Sequence, residues 1–321
     1  MNRQPTIIVA GEPNSIFLEI FFKAIKKNKF KNSLILIASK KLLVDQMKFL
    51  GYDFKINSIN ENLSNIKKLN NRNINLINVD YKFNKCFEKI TIKSKSYINK
   101  CFNIALKILK KKKFIKFING PVSKKHFLKG KHLGITEYLA DKSKVSNKVA
   151  MLIFNKKLSV SPITTHIPLK NVHKSISQKK IHSHVMLITQ FYKEKFNKIP
   201  KIAITGLNPH CESNFNNSEE DAIINPAIKS LIKSKYKVKG PYAADTIFTK
   251  NQFKKFDVII GMYHDQVLSP AKTLFEFDAI NITLGLPFIR ISPDHGPNYL
   301  MLGKNSSNPK SLVKALKFLD N

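Results

Sequence analysis

Two patterns alternate along the chain: short apolar, β-branched runs, and longer stretches in which apolar residues recur every three or four positions. The first reads as buried strand, the second as amphipathic helix. Residues 6–11, TIIVAG, predict a strand that ends at Gly11-Glu12-Pro13-Asn14-Ser15, with Ser15 as N-cap of a helix over 16–27. A second strand follows over 33–39, then an amphipathic stretch over 40–50. Residues 54–80 are Asn-rich and weakly patterned, which predicts irregular structure with one short strand at 74–79. Ile98, Cys101, Phe102, Ala105, Leu106 and Leu109 fall on one face of a helix predicted over 94–112. The strand FIKFIN, 114–119, leads into Gly120-Pro121-Val122-Ser123-Lys124.

The second half repeats the alternation. Residues 148–154 and 158–166 read as adjacent strands with a hairpin at 155–157. A helix over 180–196, a strand in KIAITGLNPH, a helix over 219–233, a strand at 257–262, a last strand over 279–293 and a closing helix over 311–320 complete the pattern. Strand–helix alternation predicts an α/β fold with mostly parallel sheets covered by helices. Small, basic and glycine residues cluster near 125–135, and the closing helix needs a sheet face to cover. A first lobe of residues 1–130 with 287–321, and a second of 131–286, is the division expected.

Composition changes one part of this picture. The 321 residues are 43% hydrophobic, enough for a sizeable core. The formal net charge is +35, which by itself suggests a nucleic-acid partner. Yet 53 Lys stand against 3 Arg, and the lysines are spread over the whole chain. Arg supplies bidentate phosphate and base contacts, so its scarcity points to a sequence-wide bias and against a nucleic-acid reader. Cys86, Cys101 and Cys211 have neither disulfide-framework nor metal-site spacing. No secretory leader pattern opens the chain and no run of about 18 apolar residues occurs, which fits a cytoplasmic protein.

The candidate chemistry lies at strand ends. LSVSPITTH ends in His166, KIAITGLNPH in His210 and DVIIGMYH in His264. Carboxyl ends of parallel strands share one edge, where ligands bind in α/β sheets. Three imidazoles with an open fourth position match a catalytic metal site. His126, His132 and His173 sit in lysine-rich segments and read as solvated, His182 and His184 point to different faces of a helix, and His295 reads as a turn residue. Arg290 ends a strand in a chain that otherwise uses Lys, so its planar fork is the reason for it and an anion its partner. Lys272 lies eight residues after His264, and Asn281 starts the last strand. Residues 120–124 give a weak anion-binding signal; neither a Rossmann fingerprint nor a Walker loop is present.

Eight ordered segments carry a resemblance: GEP, NGPVSKK, GITEYLA, TTHIPL, GLNPH, ADTIF, MYHDQ and INITLGLPFIRISPDHG. Together they resemble the signature segments of the 4-hydroxythreonine-4-phosphate dehydrogenase family of pyridoxal phosphate biosynthesis, from residue 11 to 296. The resemblance implies a homodimer with an isocitrate/isopropylmalate dehydrogenase-like α/β/α fold and active sites shared between subunits. It implies NAD or NADP as cofactor and one divalent metal per site, zinc, magnesium or cobalt, on His166, His210 and His264, with His264 reaching across the dimer. It implies substrate contacts from Thr136, Lys272, Asn281 and Arg290, with Lys272 and Asp245 as catalytic candidates and Asp265 as an orienter of His264. The expected reaction is oxidation of 4-phosphohydroxy-L-threonine to the 3-keto acid, which decarboxylates to 3-amino-2-oxopropyl phosphate. Two positions depart from the family. Ile135 replaces a His that contacts substrate, and Asn14-Ser15-Ile16-Phe17 replaces a glycine-rich loop. The first departure keeps a second substrate open, a phosphorylated sugar acid such as erythronate or threonate 4-phosphate; the charge keeps nucleic acid as a distant third reading.

Overall fold

The computed structural model describes residues 4–63, 69–111, 116–128, 130–146, 148–212, 217–276, 278–293 and 295–320. In chain order the elements are β1 (Thr6–Val9), α1 (Phe17–Lys27), β2 (Leu34–Ala38), α2 (Lys40–Phe49), β3 (Ile56–Ser58), β4 (Ile74–Asn78), α3 (Ser94–Lys111), β5 (Lys116–Asn119), α4 (Ile135–Lys142), β6 (Ala150–Phe154), β7 (Ser159–Thr164), α5 (Val172–Ser175), α6 (Gln178–Phe196), β8 (Ile202–Thr205), α7 (Asn225–Lys233), β9 (Val238–Tyr242), α8 (Ala244–Ile247), α9 (Lys250–Phe253), β10 (Val258–Tyr263), α10 (His264–Phe275), β11 (Ile280–Leu284), β12 (Arg290–Ser292) and α11 (Lys310–Asp320). The chain forms two compact units, Met1–Tyr138 with Pro287–Asn321, and Leu139–Leu286. The first crossing falls inside α4, so Thr136 belongs to the first unit.

In the first unit the strands run β3-β4-β2-β1-β5-β12, and every pairing among them is parallel. β1 is hydrogen-bonded on both sides, Thr6 standing opposite Leu34 and Lys116. β1 and β2 are buried at every position, as strands covered on both faces must be, and this is why they read as unbroken apolar runs. A polar latch holds the closing segment to α1. Buried Glu19 accepts from Lys23 Nζ (2.8 Å) and from the Ser307 amide (2.6 Å), while Lys23 also donates to the Asn305 and Ser307 carbonyls.

In the second unit the order is β11-β6-β7-β10-β8-β9. β6 is antiparallel to both neighbours, and the β6–β7 connection is the expected hairpin. β7, β10, β8 and β9 are parallel. The carboxyl ends of β7, β10 and β8 therefore lie along one edge, with fully apolar Val258, Ile259 and Ile260 at the centre of the sheet.

Several elements differ from expectation. The strand expected over 279–293 is two strands, β11 and β12, separated by a turn at Gly285 (φ +85), where a Cβ would lie 2.0 Å from the Lys148 carbonyl. Ile16, not Ser15, holds the α1 N-cap position; the Ser15 hydroxyl instead donates to Glu12 O and accepts the Phe17 amide. β3, β9 and α4 carry no clear periodicity in the sequence and were not anticipated. Lys112 of the expected helix, and Phe114 and Ile115 of the expected strand, lie outside the described residues, as does Asp294 of the last signature segment.

Candidate active site

β10 ends at Tyr263 and α10 begins at once with His264. Asp265 in the first turn suits the positive end of the helix dipole. It accepts from His264 Nδ1 at 2.7 Å, which leaves Nε2 for a ligand. His166 lies two residues beyond β7, the strand beside β10. The His166 and His264 rings come within 5.6 Å, centroid to centroid. Two imidazoles bound tetrahedrally to a zinc-like ion at ~2.1 Å would have centroids roughly 5–6 Å apart, so this pair fits a divalent metal.

Gln266, two residues on, has a different role. Its buried side chain accepts from Thr205 Oγ1 (2.9 Å) and the Met262 amide (2.7 Å), and donates to Gly206 O (2.8 Å). It therefore clamps the end of β8 to the end of β10. It follows His264 and Asp265 directly in the sequence, but its three bonds are structural.

His210 sits past β8 in a strained turn: His210 and Cys211 have φ of +57° and +60°, uncommon for residues with a Cβ. Buried Glu220 holds this turn by accepting the Leu207 and Asn208 amides at 2.7 and 2.9 Å and the Asn208 side chain at 2.7 Å. Burial pushes the Glu220 carboxyl up, but the hydrogen bonds from Asn208 and Leu207 outweigh it and hold the group below its usual range. Gly206 leaves room for this turn: a Cβ would stand 2.7 Å from Cys211 Sγ and 2.8 Å from Glu220 Oε1 and would press on both. Asp245, on α8, is 3.7 Å from His210 Nδ1, an ion-pair distance rather than a hydrogen bond. Among the described residues of one chain, no group of three or more His, Cys, Asp or Glu side chains could hold a metal. His166 and His264 are together, and His210 has Asp245 beside it.

Lys272 is on α10, eight residues and ~12 Å along the axis from His264. Its own chain therefore does not bring its backbone beside the imidazole pair. It lines an apolar cleft with Ile153, Leu158, Leu268 and Phe275, and burial lowers its pKa. Asn281 on β11 is paired across the sheet with Ile153 of that cleft. Asn281 Oδ1 is buried with no hydrogen-bond partner among the described residues.

The first unit carries the anion-binding candidates. Arg290 is buried (2% exposed) at the start of β12, beside β5. Its Nε donates to Asn119 Oδ1 at 2.8 Å and its Nη1 to Thr136 Oγ1 at 3.3 Å. Burial pulls its pKa down to about 9, opposed by Glu137, and it stays cationic at neutral pH. Asn119, which orients this guanidinium, was missed in the sequence; its one signal is its place as the last residue of β5.

Known proteins resemble the chain over nearly its whole length. The family model described as "Pyridoxal phosphate biosynthetic protein PdxA" matches residues 30–319. A 4-hydroxythreonine-4-phosphate dehydrogenase of Sulfurihydrogenibium sp. is 41% identical over 315 residues, covering 97% of this chain and 95% of that protein. A protein of Oceanobacillus iheyensis, provisionally named D-threonate 4-phosphate dehydrogenase, is 30% identical over 98% of this chain and 97% of its own length. The crystal structure of 4-hydroxythreonine-4-phosphate dehydrogenase from Klebsiella pneumoniae superposes with a TM-score of 0.82 at 24% identity, covering 98% of both chains, and so shares the fold. With its α/β units, its strand-end histidines and these full-length matches, the chain belongs to the PdxA family of pyridoxal phosphate biosynthetic proteins.

Proposed function

We propose that the chain oxidises the secondary alcohol of 4-phosphohydroxy-L-threonine, with NAD or NADP as hydride acceptor and a divalent metal bound. The 3-keto acid formed loses CO2 to give 3-amino-2-oxopropyl phosphate, a step of pyridoxal phosphate (vitamin B6) biosynthesis. The observation that carries this reading is the His166–His264 ring pair on the strand-end edge of a chain of this family. No helix among the described residues is long and apolar enough to cross a membrane, in keeping with a cytoplasmic enzyme.

Bound zinc, magnesium or cobalt would supply Lewis-acid polarisation of the reacting oxygen, and the nicotinamide would take up the hydride. The residues of the chain do the rest. His166 and His264 present two imidazoles, with Asp265 fixing the orientation of the second. His210 is the third ligand, in a homodimer with shared sites. His264 is the ligand expected to cross the dimer; its ring contact with His166 in one chain favours His210 in that role instead. Arg290, with Thr136 beside it, offers a desolvated cation to the substrate phosphate or carboxylate. Lys272, its charge weakened by burial, is the proton donor or acceptor, and Asn281 Oδ1 accepts from a substrate donor. Asp245 steadies His210. For the nicotinamide cofactor, the carboxyl edge of the first sheet offers His295. Its Nδ1 meets Gly296 O at 2.9 Å and its Nε2 is buried without a partner among the described residues; a Cβ on Gly296 would meet nothing within 4 Å.

The test is NADH or NADPH formation from 4-phosphohydroxy-L-threonine by the purified, metal-loaded protein; no product with either cofactor overturns the assignment. A second reading rests on Ile135, which opens α4 next to Thr136 and cannot donate to an anion. It assigns threonate or erythronate 4-phosphate as substrate, and a higher kcat/KM on either would establish it.

A further inference from the structure

His210 and His264 are held in different ways. The His264 ring is oriented by Asp265, which accepts from its Nδ1 at 2.7 Å. The His210 side chain is 73% exposed, and Asp245 Oδ2 lies 3.7 Å from its Nδ1, beyond hydrogen-bond reach. A metal-binding imidazole normally has its second nitrogen fixed by an acceptor. With no such bond to the His210 ring among the described residues, where that ring projects is decided by its main chain.

That main chain is bent against preference. His210 and Cys211 both adopt the left-handed region, which persists at residues with a Cβ only where the surroundings enforce it. Within the turn, the Cys211 amide donates to Asn208 O and the Glu212 amide to Pro209 O, each at 3.1 Å. The entry to the turn is enforced by Glu220, which is 2% exposed and heads the helical turn Glu220–Ile224 that runs directly into α7. Its Oε1 accepts two successive amides, those of Leu207 and Asn208. Its Oε2 accepts the Asn208 side chain, which also donates to Glu219 Oε2 at 2.9 Å. Asn208 is thus gripped by main chain and side chain at once. One residue separates it from His210, and that residue is Pro209, whose ring fixes its φ. α7 in turn packs against α6 and β9, so the grip comes from a braced element.

We propose that Glu220 is the positioning residue of His210: it sets where this imidazole projects by holding the main chain ahead of it, the part that Asp265 plays for His264 through the ring. It is a role that stands on the reading of His210 as a metal ligand. Three donors converge on Glu220, and a carboxylate, with two acceptor oxygens and no donor, meets all three. Glutamine in its place has the same shape but a single acceptor oxygen, and its NH2 would face the Asn208 side-chain NH2.

Titration of the full, metal-free chain with cobalt(II), followed by visible absorption where circular dichroism shows each variant folded, tests this. His210→Ala shows the cost of losing the ligand. Glu220→Gln should bind cobalt roughly tenfold more weakly than wild type, with its spectrum shifted toward that of His210→Ala. Asn208→Ala, which removes the side-chain arm and keeps both amides, should fall between wild type and Glu220→Gln. A Glu220 that only stabilised the fold would lower the urea midpoint and leave the cobalt affinity of the folded chain unchanged. That result in Glu220→Gln, or in Asn208→Ala, overturns the positioning role, while weak binding by His210→Ala keeps the metal reading. A larger loss in Asp245→Asn than in Glu220→Gln overturns it too, since the ring would then be held by its carboxylate neighbour. Cobalt binding by His210→Ala equal to that of wild type would overturn the metal reading itself, and the role of Glu220 with it.

Discussion

Arg290 differs from Arg72 in what surrounds it: Arg72 is exposed, while Arg290 is buried with its guanidinium held by Asn119 and Thr136. A lysine there would keep the charge but lose the planar fork, and could not satisfy Asn119 and a substrate anion together. Arg290→Lys should raise KM for the phosphorylated substrate by roughly 10–100-fold, since a charged hydrogen bond is worth ~1.5–3 kcal/mol. Steady-state kinetics separates this from a fall in kcat. Glu12 gives a stability signature of opposite character. Its folded pKa, about 7, is above its unfolded value of 4.5, so between these pH values the folded chain binds more protons than the unfolded one. Stability from this group therefore falls as pH rises through that window, by up to roughly 3 kcal/mol. Glu12→Gln should remove the slope, leaving the variant more stable than wild type above pH 7; urea titrations at pH 5 and 8 measure it.

Among the elements, β8 and β10 matter most, because the loops after them carry His210 and His264. Gln266→Leu strips the clamp between them and strands the Gly206 carbonyl, the Met262 amide and the Thr205 hydroxyl in the core. It should cost on the order of 2–4 kcal/mol, read from chemical denaturation. Gly206→Ala is more selective. Its Cβ would press on Cys211 and Glu220, the groups that shape the His210 turn, so metal affinity should drop at least about tenfold while the fold persists; calorimetric metal titration checks this. The sequence made the strands legible because β1, β2, β6, β7, β8 and β10 are buried on both faces and so read as apolar runs. β9 was illegible because among the described residues it pairs only with β8, and Lys239, Gly240 and Pro241 break its pattern. The three histidines were legible because each follows such a run. Gln266 and Asn119 were not, because their roles depend on hydrogen bonds to residues 60 and 171 positions away, which no local pattern encodes.

For the whole molecule, the proposed shared metal site turns on which subunit would supply each histidine. One chain holds His166 and His264 within 5.6 Å. In a two-fold dimer each site would then take its ring pair from one subunit and His210 from the other. His166→Ala and His210→Ala are each inactive alone under this arrangement. Mixed and allowed to exchange subunits, they form heterodimers in which one of two sites is intact: the His210→Ala subunit gives the ring pair and the His166→Ala subunit gives its His210. With random exchange, activity should recover to roughly a quarter of wild type. His166→Ala mixed with His264→Ala should recover nothing, since both lesions fall on the same half of every site. If His264 were instead the residue that crosses the dimer, the two mixtures would exchange outcomes; if His166 alone crossed, both mixtures would recover; and if all three ligands came from one chain, neither would. NADH formation in the two mixtures therefore reads the dimer's ligand arrangement directly.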